Sequence, residues 1–154
     1  MAIRSAGILL YRRSVAGIQV LLGHPGGPFW SKKDRGSWSI PKGVVASAEK
    51  AEEAALREFA EEVGQPPPGL LISLGQVTQK AGKVVEAFAL EGDFNVSDFL
   101  CTSMVEIEWP PRSGARLRFA EVDRVAWLGL AEARLRILPA QAELIDRLEL
   151  LLNC

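Results

Sequence analysis

Three glutamates, Glu58, Glu61 and Glu62, stand at helical spacing inside 43–64, GVVASAEKAEEAALREFAEEVG. On a helical wheel of about 100° per residue with Glu58 at zero, Glu62 falls near ~40° and Glu61 near ~−60°. The three carboxylates therefore converge on one stripe. Leu56, Phe59 and Val63 fall between about 100° and 160°, a separate apolar stripe. Ala51, Ala54 and Ala55 continue the acidic stripe toward the N-terminus, which predicts a shallow, uncrowded surface. Carboxylates are favoured near a helix N-terminus and disfavoured near its C-terminus. Glu49, Glu52 and Glu53 obey that rule, whereas Glu58, Glu61 and Glu62 break it and repel one another at i, i+3 and i+4. A cluster that breaks a local rule is where function is expected. A divalent cation would relieve the repulsion, and carboxylate oxygens are hard ligands suited to Mg²⁺, Mn²⁺ or Ca²⁺. On helix physics alone two readings stand, a solvated charged face and a cation site.

Other chemistries find little support. The single histidine, His24, excludes a two-histidine metal motif. It lies in a Pro/Gly-rich stretch, GHPGGPFW, with no nucleophile-elbow pattern around a serine. Two cysteines, Cys101 and Cys154, exclude a disulfide scaffold and a four-thiolate zinc site, and each reads as a buried or terminal thiol. The 18 Lys and Arg against 19 Asp and Glu leave no global basic field, so no stable nucleic-acid binding is expected. No apolar run reaches about 18 residues, so no membrane span is expected. The N-terminus does not read as a signal peptide, and a cytoplasmic location is expected.

The elements that must hold the glutamates can be traced along the chain. The 154 residues suit one domain, 1–154. Residues 5–13 and 17–23 read as a strand pair, and 24–42 as a long loop carrying Trp30 and Trp38. A helix is expected over 48–63, stopped by Gly64 and by Pro66, Pro67 and Pro68. Strands follow at 71–79 and 83–91, a hairpin at 103–109 and 115–119, and a strand at 122–128. Helices are expected at 130–136 and 139–152, the last with Ile145, Leu148 and Leu152 on one side. This order predicts an α/β sandwich with one mixed sheet between helical layers.

The acidic segment resembles the Nudix box, G-x(5)-E-x(7)-R-E-U-x-E-E-x-G-U, with U a bulky apolar residue. Gly43, Glu49, Arg57, Glu58, Phe59, Glu61, Glu62 and Gly64 match at the required spacing, and only Gln65 departs. The fixed identities would coincide by chance about once in 10⁸ windows from background usage. The tail AEVDRVAWLGLAEA is also similar to the end of that domain. The resemblance implies the Nudix α/β/α sandwich and hydrolysis of a nucleoside diphosphate linked to another group, with Mg²⁺ or Mn²⁺. It implies Glu58, Glu61 and Glu62 as metal ligands, with Glu58 or Glu61 as general base, and the backbone carbonyl of Lys42 as a further ligand. Arg57, far from the acidic stripe at about −100° on the wheel, is implied to brace Glu49. Gly43 is expected to let the backbone turn tightly into the helix. An additional glutamate often completes such sites. Glu121 is the first choice, with Glu106 and Glu108 as competitors.

The substrate is expected to be a small nucleotide or polyphosphate. GSWSIPKG is similar to the entry to the box in diadenosine polyphosphate hydrolases and diphosphoinositol polyphosphate phosphohydrolases. Against that branch, 81–88 holds no tyrosine. Hydrolysis of oxidised nucleoside triphosphates or of ADP-ribose, and a silent binding module, are the alternatives. The retained carboxylates speak against the last. The side chains of Lys42, Lys83 and Arg112 could hold phosphates, and Trp30, Trp38 and Trp109 could stack a base.

Overall fold

The computed structural model describes residues 3–67 and 69–153. Cys154 and Pro68 lie outside the described residues. The run AGILLY is apolar at every step because β1 (Arg4–Ser14) is covered on both faces. Successive strand side chains point to opposite sides. Ile8 and Leu10 join one core with Phe59 and Val63, while Leu9 and Tyr11 join another with Leu144 and Leu148.

β1 pairs antiparallel with β2 (Gly17–Pro25), from Tyr11↔Val20 to Ser14↔Gly17. On its other edge it pairs parallel with β5 (Val84–Glu91), from Arg4↔Val84 to Tyr11↔Glu91. The short β3 (Lys42–Val44) lies antiparallel to the start of β1, with Gly7 opposite Lys42 and Ser5 opposite Val44. β4 (Ile72–Thr78) and β8 (Val122–Gly129) complete the order β4-β5-β1-β2-β8, a mixed sheet. β6 (Met104–Glu108) and β7 (Arg116–Ala120) form a separate hairpin. Helix α1 (Ala51–Val63) covers one face of the sheet, and α2 (Leu130–Arg136) and α3 (Ala142–Leu152) cover the other. The expected sandwich with a mixed sheet between helices is the one found.

Several local expectations change. α1 begins at Ala51 rather than 48, because Ala48 has φ 66° and Lys50 is extended. The Glu53 side chain then accepts the Lys50 N–H at 3.0 Å. Its end is as expected: Gly64 has φ 106° and donates its N–H to the Ala60 carbonyl. The last helix is divided, with a 3₁₀ turn at Pro139–Gln141 preceding α3. His24 belongs to β2, not to a loop. Leu56 is exposed rather than part of an apolar stripe.

Candidate active site

α1 does not present two separate faces. Ala54 and Ala55 are fully buried against the sheet, so no shallow open surface continues the acidic stripe. Glu58 and Glu62 are themselves buried, at 9% and 6% exposure, and a solvated face does not describe them. Only Glu61 reaches the rim, with its side chain 42% exposed. The buried arc of the helix is continuous, apolar on one flank and acidic on the other.

β3 covers the acidic flank. A Cβ on Gly43 would lie 1.9 Å from the Glu58 carboxyl carbon. Gly43 is therefore required for space. It is not among the glycines with left-handed φ, so the expected tight turn is not its reason. The Lys42 N–H donates to Glu62 Oε1 at 3.3 Å.

Arg57 stands closer to the acidic stripe than the wheel implied. Its guanidinium donates to both oxygens of Glu49, at 2.9 and 3.0 Å, and to the Val44 carbonyl at 3.1 Å. It also reaches Glu58 Oε1 at 2.8 Å and Glu61 at 3.4 Å. The Arg57 bonds, aided by the Ala46 N–H, hold Glu49 down at about 2. Arg57 is itself held more firmly charged, first by Glu49. Burial raises Glu58 against the opposing pull of Arg57. Glu62 is pushed up to about 9, by burial first and then by the charge and hydrogen bond of Glu121. Glu62 thus keeps its proton at neutral pH.

Glu121, between β7 and β8, is brought beside Glu62. Ser103 holds it there: its Oγ donates to Glu121 Oε2 at 2.9 Å, and its carbonyl accepts the Glu121 N–H at 2.9 Å. Glu106 instead pairs with Arg116, and Glu108 accepts the N–H groups of Arg112 and Gly114. Neither lines the cleft.

That cleft holds about 490 Å³. Glu58, Glu61, Glu62, Glu121, Lys42 and Ser103 line one region, and Trp30, Ser37 and Lys83 also contribute. Lys33 Nζ lies 5.3 Å from the centre of the Trp30 ring. Three expected substrate contacts are not brought in. Arg112 sits in the β6–β7 turn and does not line the cleft. Trp38 is buried in the core, with its Nε1–H given to Asp34 Oδ1 at 2.6 Å, so it cannot stack a base. Trp109 packs edge-on against Phe29. Sequence reasoning missed the role of His24. Its fully buried ring lies 2.6 Å from the Lys33 carbonyl and 3.0 Å from Asp123, tying down the segment that carries Trp30. The unbroken apolar run of β2, continued past Gly23, was the available signal.

Among the described residues no three His, Cys, Asp or Glu side chains are arranged to grip a cation as they stand. The Glu62 proton and the Arg57 guanidinium offset the negative charge instead. The donor set nevertheless fits a hard divalent ion. Glu58, Glu61, Glu62 and Glu121 offer only oxygen. A buried acid that holds a proton beside a second carboxylate has a place for positive charge.

A family model described as the NUDIX domain matches residues 1–148. An RNA pyrophosphohydrolase of Hahella chejuensis is 39% identical over 67 residues, which is 42% of this chain and 40% of that protein. The chain thus matches less than half the length of that relative. The NUDIX domain of Shewanella oneidensis NrtR, solved with ADP ribose, superposes with a TM-score of 0.68 at 19% identity, covering 99% of this chain and 89% of that one. The C. elegans Ap4A hydrolase in a binary complex gives 0.66 at 20%, covering 97% and 98%. At these identities the structural likeness is one of fold.

Proposed function

The chain belongs to the Nudix family, and from that premise we propose that it is a divalent-metal-dependent hydrolase of phosphoric anhydrides acting on a nucleoside diphosphate-linked substrate. The observation that carries this reading is the buried Glu58–Glu62 pair with Glu121 beside it, at a cleft that also holds Lys42 and Lys83. Glu58, Glu61, Glu62 and Glu121, with the Lys42 carbonyl, would hold Mg²⁺ or Mn²⁺. When bound, such an ion neutralises the diphosphate and lowers the pKa of a coordinated water. Glu58 or Glu61 then takes the proton of the attacking water. Glu61 is the more open of the two, and Arg57 touches both. The ammonium groups of Lys42 and Lys83 hold phosphate oxygens, and Trp30 offers a base an aromatic wall. Gly43, Glu49, Arg57 and Gly64 shape the loop and helix around these groups.

The preferred substrate is a dinucleoside polyphosphate or a similar long chain, supported by the PKG entry and by Lys83. A second reading, a nucleoside triphosphate or ADP-ribose, draws support from the position of Arg112 outside the cleft, which removes one expected distal contact. Chromatographic identification of the cleavage products of diadenosine tetraphosphate, 8-oxo-dGTP, ADP-ribose, a diphosphoinositol phosphate and 5′-triphosphorylated RNA separates them. EDTA should abolish turnover, and Mg²⁺ or Mn²⁺ should restore it. Lys83→Ala should raise KM for the tetraphosphate roughly 10-fold or more, the worth of one charged contact. Arg112→Ala should leave KM unchanged. Undiminished hydrolysis under chelation would reject the reading.

A further inference from the structure

Gln141 is a polar residue inside the apolar layer between the sheet and helices α2 and α3. It is fully buried. Its Oε1 accepts the Ile40 N–H at 3.1 Å, and its Nε2 donates to Ser39 Oγ and to Gln79 Oε1, each at 3.0 Å. A core does not need such a group, since apolar replacement of a whole buried polar set can be close to neutral. A fully satisfied buried network does fix one geometry.

What it fixes lies on two sides of the cleft. Ser39 and Ile40 lead through Pro41 to Lys42. Gln79 is the hub of the turn that ends at Lys83: its N–H donates to the Lys83 carbonyl at 2.7 Å, and its carbonyl accepts the Gly82 N–H at 3.2 Å. Within that turn Ala81 has φ 65°, a left-handed conformation that a non-glycine keeps only when its surroundings impose it. One buried amide therefore ties together the segments that present the two cleft lysines. Those lysines flank β1. Lys42 pairs with Gly7 on one edge, while Lys83 precedes Val84, the partner of Arg4 on the other. Strand geometry puts their backbones about 13 Å apart along β1 and about 10 Å apart across it. Such a displacement suits several phosphates in a row better than one diphosphate.

We propose that Gln141 and Gln79 are a positioning pair that sets the spacing of Lys42 and Lys83, and through it the length of phosphate chain the cleft prefers. This rests on the reading of the cleft as a phosphate site. The test is calorimetric Kd with Mg²⁺ for two non-cleavable probes, methylene-bridged analogues of a dinucleoside tetraphosphate and of ADP-ribose. Gln79→Leu and Gln141→Leu are each measured alone and on a Lys83→Ala background. Each substitution should weaken the tetraphosphate probe by about 5- to 10-fold, the worth of a lost hydrogen-bonded tie, and the ADP-ribose probe by less than about twofold. On the Lys83→Ala background the extra loss should vanish, because residues that act through one another are not additive. Gln79 is only half-buried, and its replacement leaves Gln141 its bonds to Ser39 and Ile40, so Gln79→Leu decides the matter if Gln141→Leu does not fold. Equal losses for both probes, or a loss that persists without Lys83, overturn the positioning role. Wild-type protein that binds only the shorter probe overturns the length preference alone. Binding of neither probe overturns the phosphate reading itself and this inference with it.

Discussion

Glu62 lies 6% exposed in contact with the Lys42 N–H, and at neutral pH it carries a proton in the metal-free protein. Glu62→Gln therefore replaces one neutral, hydrogen-bonding group by another, and the metal-free Tm should hold or rise. The kcat should nevertheless fall by at least about 10²-fold, as should that of Glu58→Gln, because each variant loses charge at the reacting phosphate. Near-normal kcat for both at saturating Mg²⁺ would place the chemistry elsewhere. Glu121 is held by Ser103 next to Glu62, while Glu106 and Glu108 are engaged by the hairpin to which they belong. Mg²⁺ titration should accordingly show weaker apparent affinity in Glu121→Gln and unchanged affinity in Glu106→Gln and Glu108→Gln, and the reverse order would reassign the ligand. At this scale the sequence was legible where spacing along one helix decided the outcome, as for Glu58, Glu61 and Glu62. It was not legible for Trp38 or Arg112, since residue type alone does not say whether a ring is core or a guanidinium faces a cleft.

At the scale of elements, the site is the seam between β3 and α1. The helix wheel brought the three glutamates together but split the helix into an acidic and an apolar stripe and put the exposed Leu56 in the latter. Packing merges the two, because Ala54 and Ala55 let the helix sit close to the sheet and the strand at Gly43 has no side chain to keep Glu58 out. Neither fact is periodic, so neither could be seen in the pattern. The helix start was also misjudged, for Lys50 is not a residue type that marks an N-cap. Its end was plain, because Gly64 has the left-handed conformation that glycine favours and a Cβ there would lie 2.6 Å from the Leu100 carbonyl. The seam makes its own prediction. Gly43→Ala must displace Glu58 from beneath β3, at a cost of about 1–3 kcal/mol typical of overpacking. Stability should fall by that amount in denaturant titration, and kcat should fall at least about 10-fold in the fraction that stays folded. A Gly43→Ala protein with wild-type kcat would show that Glu58 does not act from this position.

At the scale of the molecule, Glu49 just before α1 and Glu62 within it titrate in opposite senses, and this sets how stability depends on pH. Glu49 has its folded pKa lowered from 4.5 to about 2 by Arg57, so its contribution is present above 4.5 and is lost as pH falls toward 2. Glu62 has its folded pKa raised from 4.5 to about 9 by burial and by Glu121. Above 4.5 the unfolded chain has released a proton that the folded one retains, so this contribution is full below 4.5 and is lost as pH rises through about 9. The two windows meet at one value. The metal-free protein should therefore be most stable near pH 4.5 to 5 and should lose Tm on both sides. On the proposed ligand set, a bound divalent cation would take the place of the Glu62 proton; it would bind the folded state more tightly as that proton leaves and would stabilise it by mass action. Saturating Mg²⁺ should thus raise Tm little at pH 5 and increasingly toward pH 8, moving the optimum to neutral or alkaline pH. Thermal melts in EDTA and in Mg²⁺ across pH 3 to 9 measure this directly. Glu62→Gln should flatten the alkaline limb in EDTA and remove the Mg²⁺ response, and Glu49→Gln should flatten the acid limb alone. A metal-free Tm that climbs steadily from pH 5 to pH 8 would mean that Glu62 ionises freely in the folded protein. The cluster would then be the solvated charged face that its composition alone allows.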